Sequence, residues 1–395
     1  MNIGIIGAGQ AACTLIAELV RGQFAGKILV FNGESHRPYQ RPPLSKTWLH
    51  NPTDTESIRL LPEPIETHAS IEWIHDKVVS IEPDQGVITT NNARRTVDHI
   101  VLATGTRAKT LAIDGLPADQ VHVIRTLSDA IHLHEALDAA HNIVIIGAGF
   151  LAFELASSLD HPERTIRVLA KGVRALPQIS VKAADRLLEE TPASIRVGVT
   201  IERYDQDSAS LITNHGPVPA DLVIVAIGAR PNTELASACG LGTSEGIPTD
   251  ALMQTTHPRV SAIGEVSLHT QPHLNKVMRI ESISEANDSA STLAKRLLGA
   301  PEPFKATPWF WSDQGQLKLQ IAGLAARNDD ETCLINTQTE RVVIRHNSDH
   351  VTAIEAVNAA KEFMAARRLF EQGPISRQAL LQAGSVFSLL QSSRS

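Results

Sequence analysis

Apolar positions along the chain change period in a way that marks element after element. In "NIGIIGAGQAACTLIAEL", from Asn2, a short continuous apolar run meets a turn of small residues, after which Leu15, Ile16 and Leu19 recur at helical spacing. The first run reads as a buried strand and the second as the helix that follows it. "NIVIIGAGFLAFELASSL", from Asn142, repeats this order. A duplication this specific predicts an α/β chain with two doubly wound nucleotide-binding domains, because solenoid repeats are much shorter. "HIVLATGTRAK" and "DLVIVAIGARPN" read as further buried strands with small-residue turns, each closing half of a sheet, and "VSAIGEV" as a third. From Thr307, "TPWFWSDQGQLKLQIAGL" alternates in the manner of strands, and "AKEFMAARRLFEQG" is a helix stopped by Gly373. These predict a separate α+β C-terminal domain, with the tail after Pro374 as a surface helix or strap.

The 395 residues suffice for two or three domains with cores of their own. A net charge of -7 argues against nucleic acid as a partner, since phosphate binders concentrate Lys and Arg. Cys13, Cys239 and Cys333 are scattered without CxxC spacing, and the sixteen histidines form no HExxH pattern, so no disulfide framework or metal site is expected. "MNIGIIGAGQ" lacks the basic start and apolar core of a signal peptide, and no apolar run is long enough to span a bilayer. The expectation is a cytoplasmic protein without a membrane partner.

In the first turn Gly7 permits a tight bend, Gly9 lets backbone N–H groups approach a pyrophosphate, and the helix starting near Ala11 offers its positive end to that anion. Ala12 replaces the third glycine of the fingerprint. A GxGxx(G/A) match alone could be a mere tight turn, but two, each after an apolar strand, point to two nucleotides. "KILVFNGES" ends in Glu34, placed to accept from a ribose diol and so favouring an unphosphorylated adenosine. At the same point of the second copy, "IRVLAKGVRAL" has Ala170 and Lys171 where an acid is usual, with Arg174 close behind. Two cations and a missing carboxylate, beside Ala152 as the third small residue, favour NADPH; NADH with a weakened ribose contact is the alternative.

"RPYQRPPLSKTWL", "VLATGTR", "RTLSDA", "GARPNTELASACGL", "AIGEV", "RIESISEA" and "PWFWSDQGQLKLQIAG" occur in series. Together they closely resemble the FAD-dependent ferredoxin reductases, which include putidaredoxin and rubredoxin reductases and the reductase components of aromatic-ring dioxygenases. The resemblance implies a glutathione-reductase-like architecture: an FAD domain over 1–107 and 235–305, an NAD(P)H domain over 108–234 and a C-terminal domain over 306–395. It implies hydride entering from NADPH or NADH and single electrons leaving to a [2Fe-2S] ferredoxin that feeds a Rieske dioxygenase or haem monooxygenase, in a monomer or homodimer. By motif position, Gly7, Gly9, Ala11, Glu34, Arg41 and Lys46 would line the FAD. So would Val78, Ala103, Gly105, Arg125, Gly264, Glu265 and Ile283, with Trp311 beside it unless that ring is simply core. Gly147, Gly149, Leu151, Gly228 and Glu154 would serve the nicotinamide nucleotide. Lys46 would stabilise negative charge that builds up during reduction, and Glu154 resembles the acid that relatives pair with that lysine. Two positions depart from the family: Glu265 replaces the usual Asp, and Ile283 stands where many relatives carry an aromatic.

A dithiol reductase would need a redox cysteine pair, and a peroxidase or persulfide reductase a cysteine near the flavin, which "PPLSK" lacks. The remaining rivals are an NAD(P)H oxidase and a redox-signalling flavoprotein resembling apoptosis-inducing factor.

Overall fold

The first glycine turn leads from the strand Ile3–Ile6 into the helix Gln10–Arg21. In the computed structural model, which describes residues 1–52, 54–272 and 274–393, it lies in a compact unit formed by residues 1–40, 55–107 and 230–306. The parallel sheet of this unit runs Val260–Ala262, His99–Leu102, Ile3–Ile6, Ile28–Phe31, Ile71–Ile74. The chain steps outward from Ile3–Ile6 on one side and returns on the other, which puts the turn at the topological switch point. The first four of these strands are buried at every position, as continuous apolar runs covered on both faces must be. Leu15, Ile16 and Leu19 pack with Ala286, Ala290 and Leu293 of the helix Ile283–Leu297. On the other face Ile6, Phe31 and Leu102 meet Ile81 and Ile88 from an antiparallel meander of Val78–Glu82, Val87–Thr90 and Arg94–Thr96.

The second unit comprises residues 41–54, 108–229 and 307–395. Its parallel sheet runs Ser194–Val197, Thr165–Ala170, Asn142–Ile146, Leu222–Val225, Val121–His122. The helix Phe150–Ser158 follows its glycine turn, and Val144, Ile146 and Leu169 pack against Leu211 and Val218 of a second antiparallel meander. The C-terminal part is an antiparallel sheet ordered Trp309–Gln314, Leu317–Gly323, His350–Val357, Arg341–His346, Asp330–Asn336, with Ile375–Ser376 beside His350–Val357. Phe363, Ala366, Leu369 and Phe370 of the helix Ala360–Gln372 close its core.

The two doubly wound sheets and the α+β C-terminal part are the architecture that the duplicated pattern predicts. The tail forms two short helices, Arg377–Ala383 and Val386–Ser392. The second is held because Glu362 Oε2 accepts from the N–H groups of Val386 and Phe387 at 2.7 and 3.1 Å. Among the described residues, no helix is long and apolar enough to cross a membrane.

Candidate active site

The two glycine turns share a backbone design. Gly7 has φ +108° and Gly147 φ +120°; a Cβ at either would lie 2.3 Å from a carbonyl oxygen, of Ala103 and Ala226 respectively. Only glycine fits there. Gly9 caps the first helix in extended conformation, and a Cβ built on it meets no protein atom within 4 Å. Bare backbone at a helix N-terminus, open on its outer side, suits a pyrophosphate. Gly264, with φ +76°, lies beside Ala11, and a Cβ on the glycine would be 2.9 Å from that of Ala11. Gly105 also has positive φ, and its carbonyl accepts from the Asn232 N–H at 3.0 Å.

Glu34 lies just beyond the strand Ile28–Phe31, where its Oε2 accepts from the Tyr39 hydroxyl at 2.5 Å. Glu265 uses its extra methylene to reach the Thr106 hydroxyl, which donates to Oε2 at 2.8 Å. Val78 is buried at the start of its strand, and half-buried Ile283 opens the helix capped by Ser282. Two residues further into that helix, Glu285 approaches His269 Nε2 at 3.3 Å with both side chains buried. Burial pushes the Glu285 carboxyl up to about 8 and lowers His269 to about 4, so at neutral pH the contact joins two uncharged groups.

In the second unit, Gly149 caps the helix Phe150–Ser158, and a Cβ there would lie 3.1 Å from Gln178 Nε2. Leu151 is half-buried and Ala152 fully buried in that helix. Gly228, with φ +95°, accepts at its carbonyl from the Lys109 N–H at 3.0 Å. Ala170 ends its strand buried and Lys171 is exposed. Arg174, in the loop after that strand, donates to the carbonyls of Leu176, at 3.0 Å, and Ile179.

Lys46 and Glu154, far apart in sequence, form an ion pair of 2.8 Å between Nζ and Oε2, the two side chains only 18% and 9% exposed. Glu154 projects from the Phe150–Ser158 helix, and the short helical turn Pro42–Ser45 is pinned to it because the Ser158 hydroxyl donates to the Ser45 carbonyl at 2.8 Å. Two prolines stiffen that turn and fix where Lys46 leaves it. Glu154 Oε2 also accepts from the Ser45 hydroxyl at 3.0 Å, and Oε1 from the Ser312 hydroxyl at 2.7 Å. Nearby, Arg41 donates to the Arg125 carbonyl at 2.7 Å, and the Arg125 N–H donates to Asp129 Oδ2 at 3.1 Å. Trp311 stacks on Trp309 with centroids 5.5 Å apart.

Sequence reasoning passed over Ser45, Ser312 and Gln178. Ser45 adjoins a named lysine, and Ser312 sits among aromatic residues whose own signal is stronger. Cys13, buried in the first helix, is the expected core residue, and burial pushes its thiol far up, away from reactivity.

Two glycine turns of this kind suit two nucleotides. Residues 1–290 match the pyridine nucleotide-disulphide oxidoreductase family and residues 309–386 the reductase C-terminal family. The chain is 34% identical to rhodocoxin reductase of Rhodococcus erythropolis over 93% of its own length and 89% of that protein. It is 33% identical to the ferredoxin–NAD(+) reductase component of the p-cumate 2,3-dioxygenase system of Pseudomonas putida, over 94% and 93%. The fold superimposes with a TM-score of 0.92 on the ferredoxin reductase of the CYP199A2 system from Rhodopseudomonas palustris, 30% identical with both chains fully covered. The chain belongs to the pyridine nucleotide-disulphide oxidoreductase family, among its FAD-dependent ferredoxin reductases.

Proposed function

We propose that this chain is a cytoplasmic NAD(P)H:ferredoxin reductase that passes single electrons to a [2Fe-2S] ferredoxin serving an oxygenase. The observation that carries the reading is the shielded pair of Lys46 with Glu154, which lies on the helix that follows the second glycine turn. FAD supplies the conversion of one hydride into two separate electrons. The open face over Gly9 and the small residues Ala11 and Gly264 suit its pyrophosphate, and Glu34 its adenosine ribose. Lys46 holds a positive charge where negative charge develops, and Glu154 keeps that ammonium in place.

The partner would meet the helix Ala360–Gln372. Arg367 lies over the Trp309 ring, 4.7 Å from its centroid, while Arg368 is exposed. An acidic ferredoxin would be steered by such cations, and salt would weaken the steering. Cytochrome c reduction should rise sharply when a [2Fe-2S] ferredoxin is added and fall with ionic strength; Arg368→Glu should lower kcat/KM for the ferredoxin by about five-fold. Turnover that no plant-type or adrenodoxin-like ferredoxin raises above the oxygen rate would replace this reading with an oxidase.

Nucleotide choice rests on Ala170 and Lys171. No carboxylate at the strand end holds the 2'-hydroxyl of NADH or repels the 2'-phosphate of NADPH, and Lys171 is the exposed cation at hand. A charged hydrogen bond to phosphate contributes about 1.5 to 3 kcal/mol, roughly ten-fold or more in affinity. NADPH should therefore serve at least as well as NADH, with Ala170→Glu turning the preference to NADH, as read from the ratio of kcat/KM values. A wild-type preference for NADH above about ten-fold would contradict this.

A further inference from the structure

Glu154 is held from two separate stretches of chain. Lys46 and Ser45 reach Oε2 from the proline-rich turn, and Ser312 reaches Oε1 from the strand Trp309–Gln314. Side chains of a strand alternate between its faces, so Phe310, Ser312 and Gln314 share the side opposite Trp309 and Trp311. Phe310 packs on Phe150, the first residue of the Glu154 helix, with centroids 4.7 Å apart. That contact sets the strand against the helix and brings Ser312, wholly buried, to the carboxylate.

The direction of the hydroxyl is also settled. A serine has one proton to give. Gln314 Nε2 donates to Ser312 Oγ at 3.3 Å, leaving that proton for Glu154 at 2.7 Å. Gln314 and Ser312 thus donate in series toward Glu154, which accepts at the end, and the Lys46 ammonium meets the carboxylate at its other oxygen. Without Ser312, Oε1 loses this donor and the carboxylate, then held at Oε2 alone, can turn about its terminal torsion, which has only a broad, shallow preference. Lys46 would then pair with a less firmly oriented carboxylate while keeping its charge.

We propose that Ser312 is a positioning residue for hydride transfer, orienting Glu154 so that Lys46 is held at the reacting centre. The proposal rests on the reading that the Lys46–Glu154 pair serves that step. Ser312 touches neither nucleotide nor flavin in this scheme and acts only through the carboxylate, which separates it from a residue that merely fills the core.

The test uses the FAD-loaded enzyme and NADPH or NADH in single-turnover reduction, comparing Ser312→Ala and Ser312→Thr in wild-type and Lys46→Met backgrounds. Ser312→Ala should slow hydride transfer about five-fold with nucleotide affinity and FAD content unchanged, and Ser312→Thr, which keeps the hydroxyl, should restore the rate. In the Lys46→Met background Ser312→Ala should add little, because residues acting as one unit are not additive. A second readout needs no turnover: the antisymmetric carboxylate stretch of Glu154, identified by its loss in Glu154→Gln, should move in Ser312→Ala and return in Ser312→Thr. Should the alanine variant fail to fold, Ser312→Cys, a similar volume with a weak donor, should give the same changes in smaller measure. Additive effects with Lys46→Met, an unmoved carboxylate band, or a slow rate that threonine leaves unrestored would each overturn the role of Ser312. If Glu154→Gln itself reduces at the wild-type rate, the reading of the ion pair fails; if it is slow while Ser312→Ala is normal, only the role of Ser312 fails.

Discussion

Gly9→Val should yield a folded, nearly colourless protein. Gly9 adopts φ -83° and ψ -166°, a backbone any residue accepts, and a Cβ there touches no protein atom within 4 Å. The valine methyl groups therefore cost the apoprotein little beyond the change of cap residue, at most about 1 kcal/mol. They would occupy the face through which backbone N–H groups approach a pyrophosphate, so FAD affinity should fall well over ten-fold, each factor of ten being about 1.4 kcal/mol. The ratio of visible to ultraviolet absorbance reads the loss, and circular dichroism shows that the fold survives. Gly7→Val is the contrast: φ +108° and the Ala103 carbonyl 2.3 Å from the new Cβ should damage the protein itself. Full flavin occupancy in Gly9→Val would remove the pyrophosphate from the first turn.

Lys46→Met and Glu154→Gln should each slow flavin reduction about ten-fold or more, a loss of roughly 1.4 kcal/mol in transition-state stabilisation, while leaving FAD bound. Methionine keeps the length of the lysine and removes its charge. Removing one partner of a shielded ion pair usually destabilises by leaving the other uncompensated, but here Glu154 keeps the hydroxyls of Ser45 and Ser312. The change should consequently appear in stopped-flow reduction rates more than in thermal stability. Unchanged rates in both variants would show the pair to be structural.

The two glycine turns could be read from sequence because their requirement is local: a positive φ, a bare backbone and a helix start all fall within a few residues. Strands buried on both faces were legible for a similar reason, as continuous apolar runs. The two antiparallel meanders were not singled out, their strands being short and partly exposed. Lys46 and Glu154 came from resemblance; no periodicity joins residues on a proline-rich turn and a distant helix. The partners of Arg174 were hidden for a different reason. Its charge and nearness to the strand end were visible, but the carbonyls of Leu176 and Ile179 that engage it depend on how the loop closes. Ser312 needed the partner across the fold before its hydroxyl had any meaning.

The strand Trp309–Gln314 pairs residue by residue with Leu317–Gly323, from Trp309 opposite Ala322 to Gln314 opposite Leu317. One side carries the hydroxyl that meets Glu154, and the other carries the tryptophans stacked beside Arg367. A slip of one residue exchanges the two sides completely. A single inserted residue in the segment leading into this strand would therefore press indoles toward a carboxylate and turn the serine outward, so length there is constrained as tightly as residue identity.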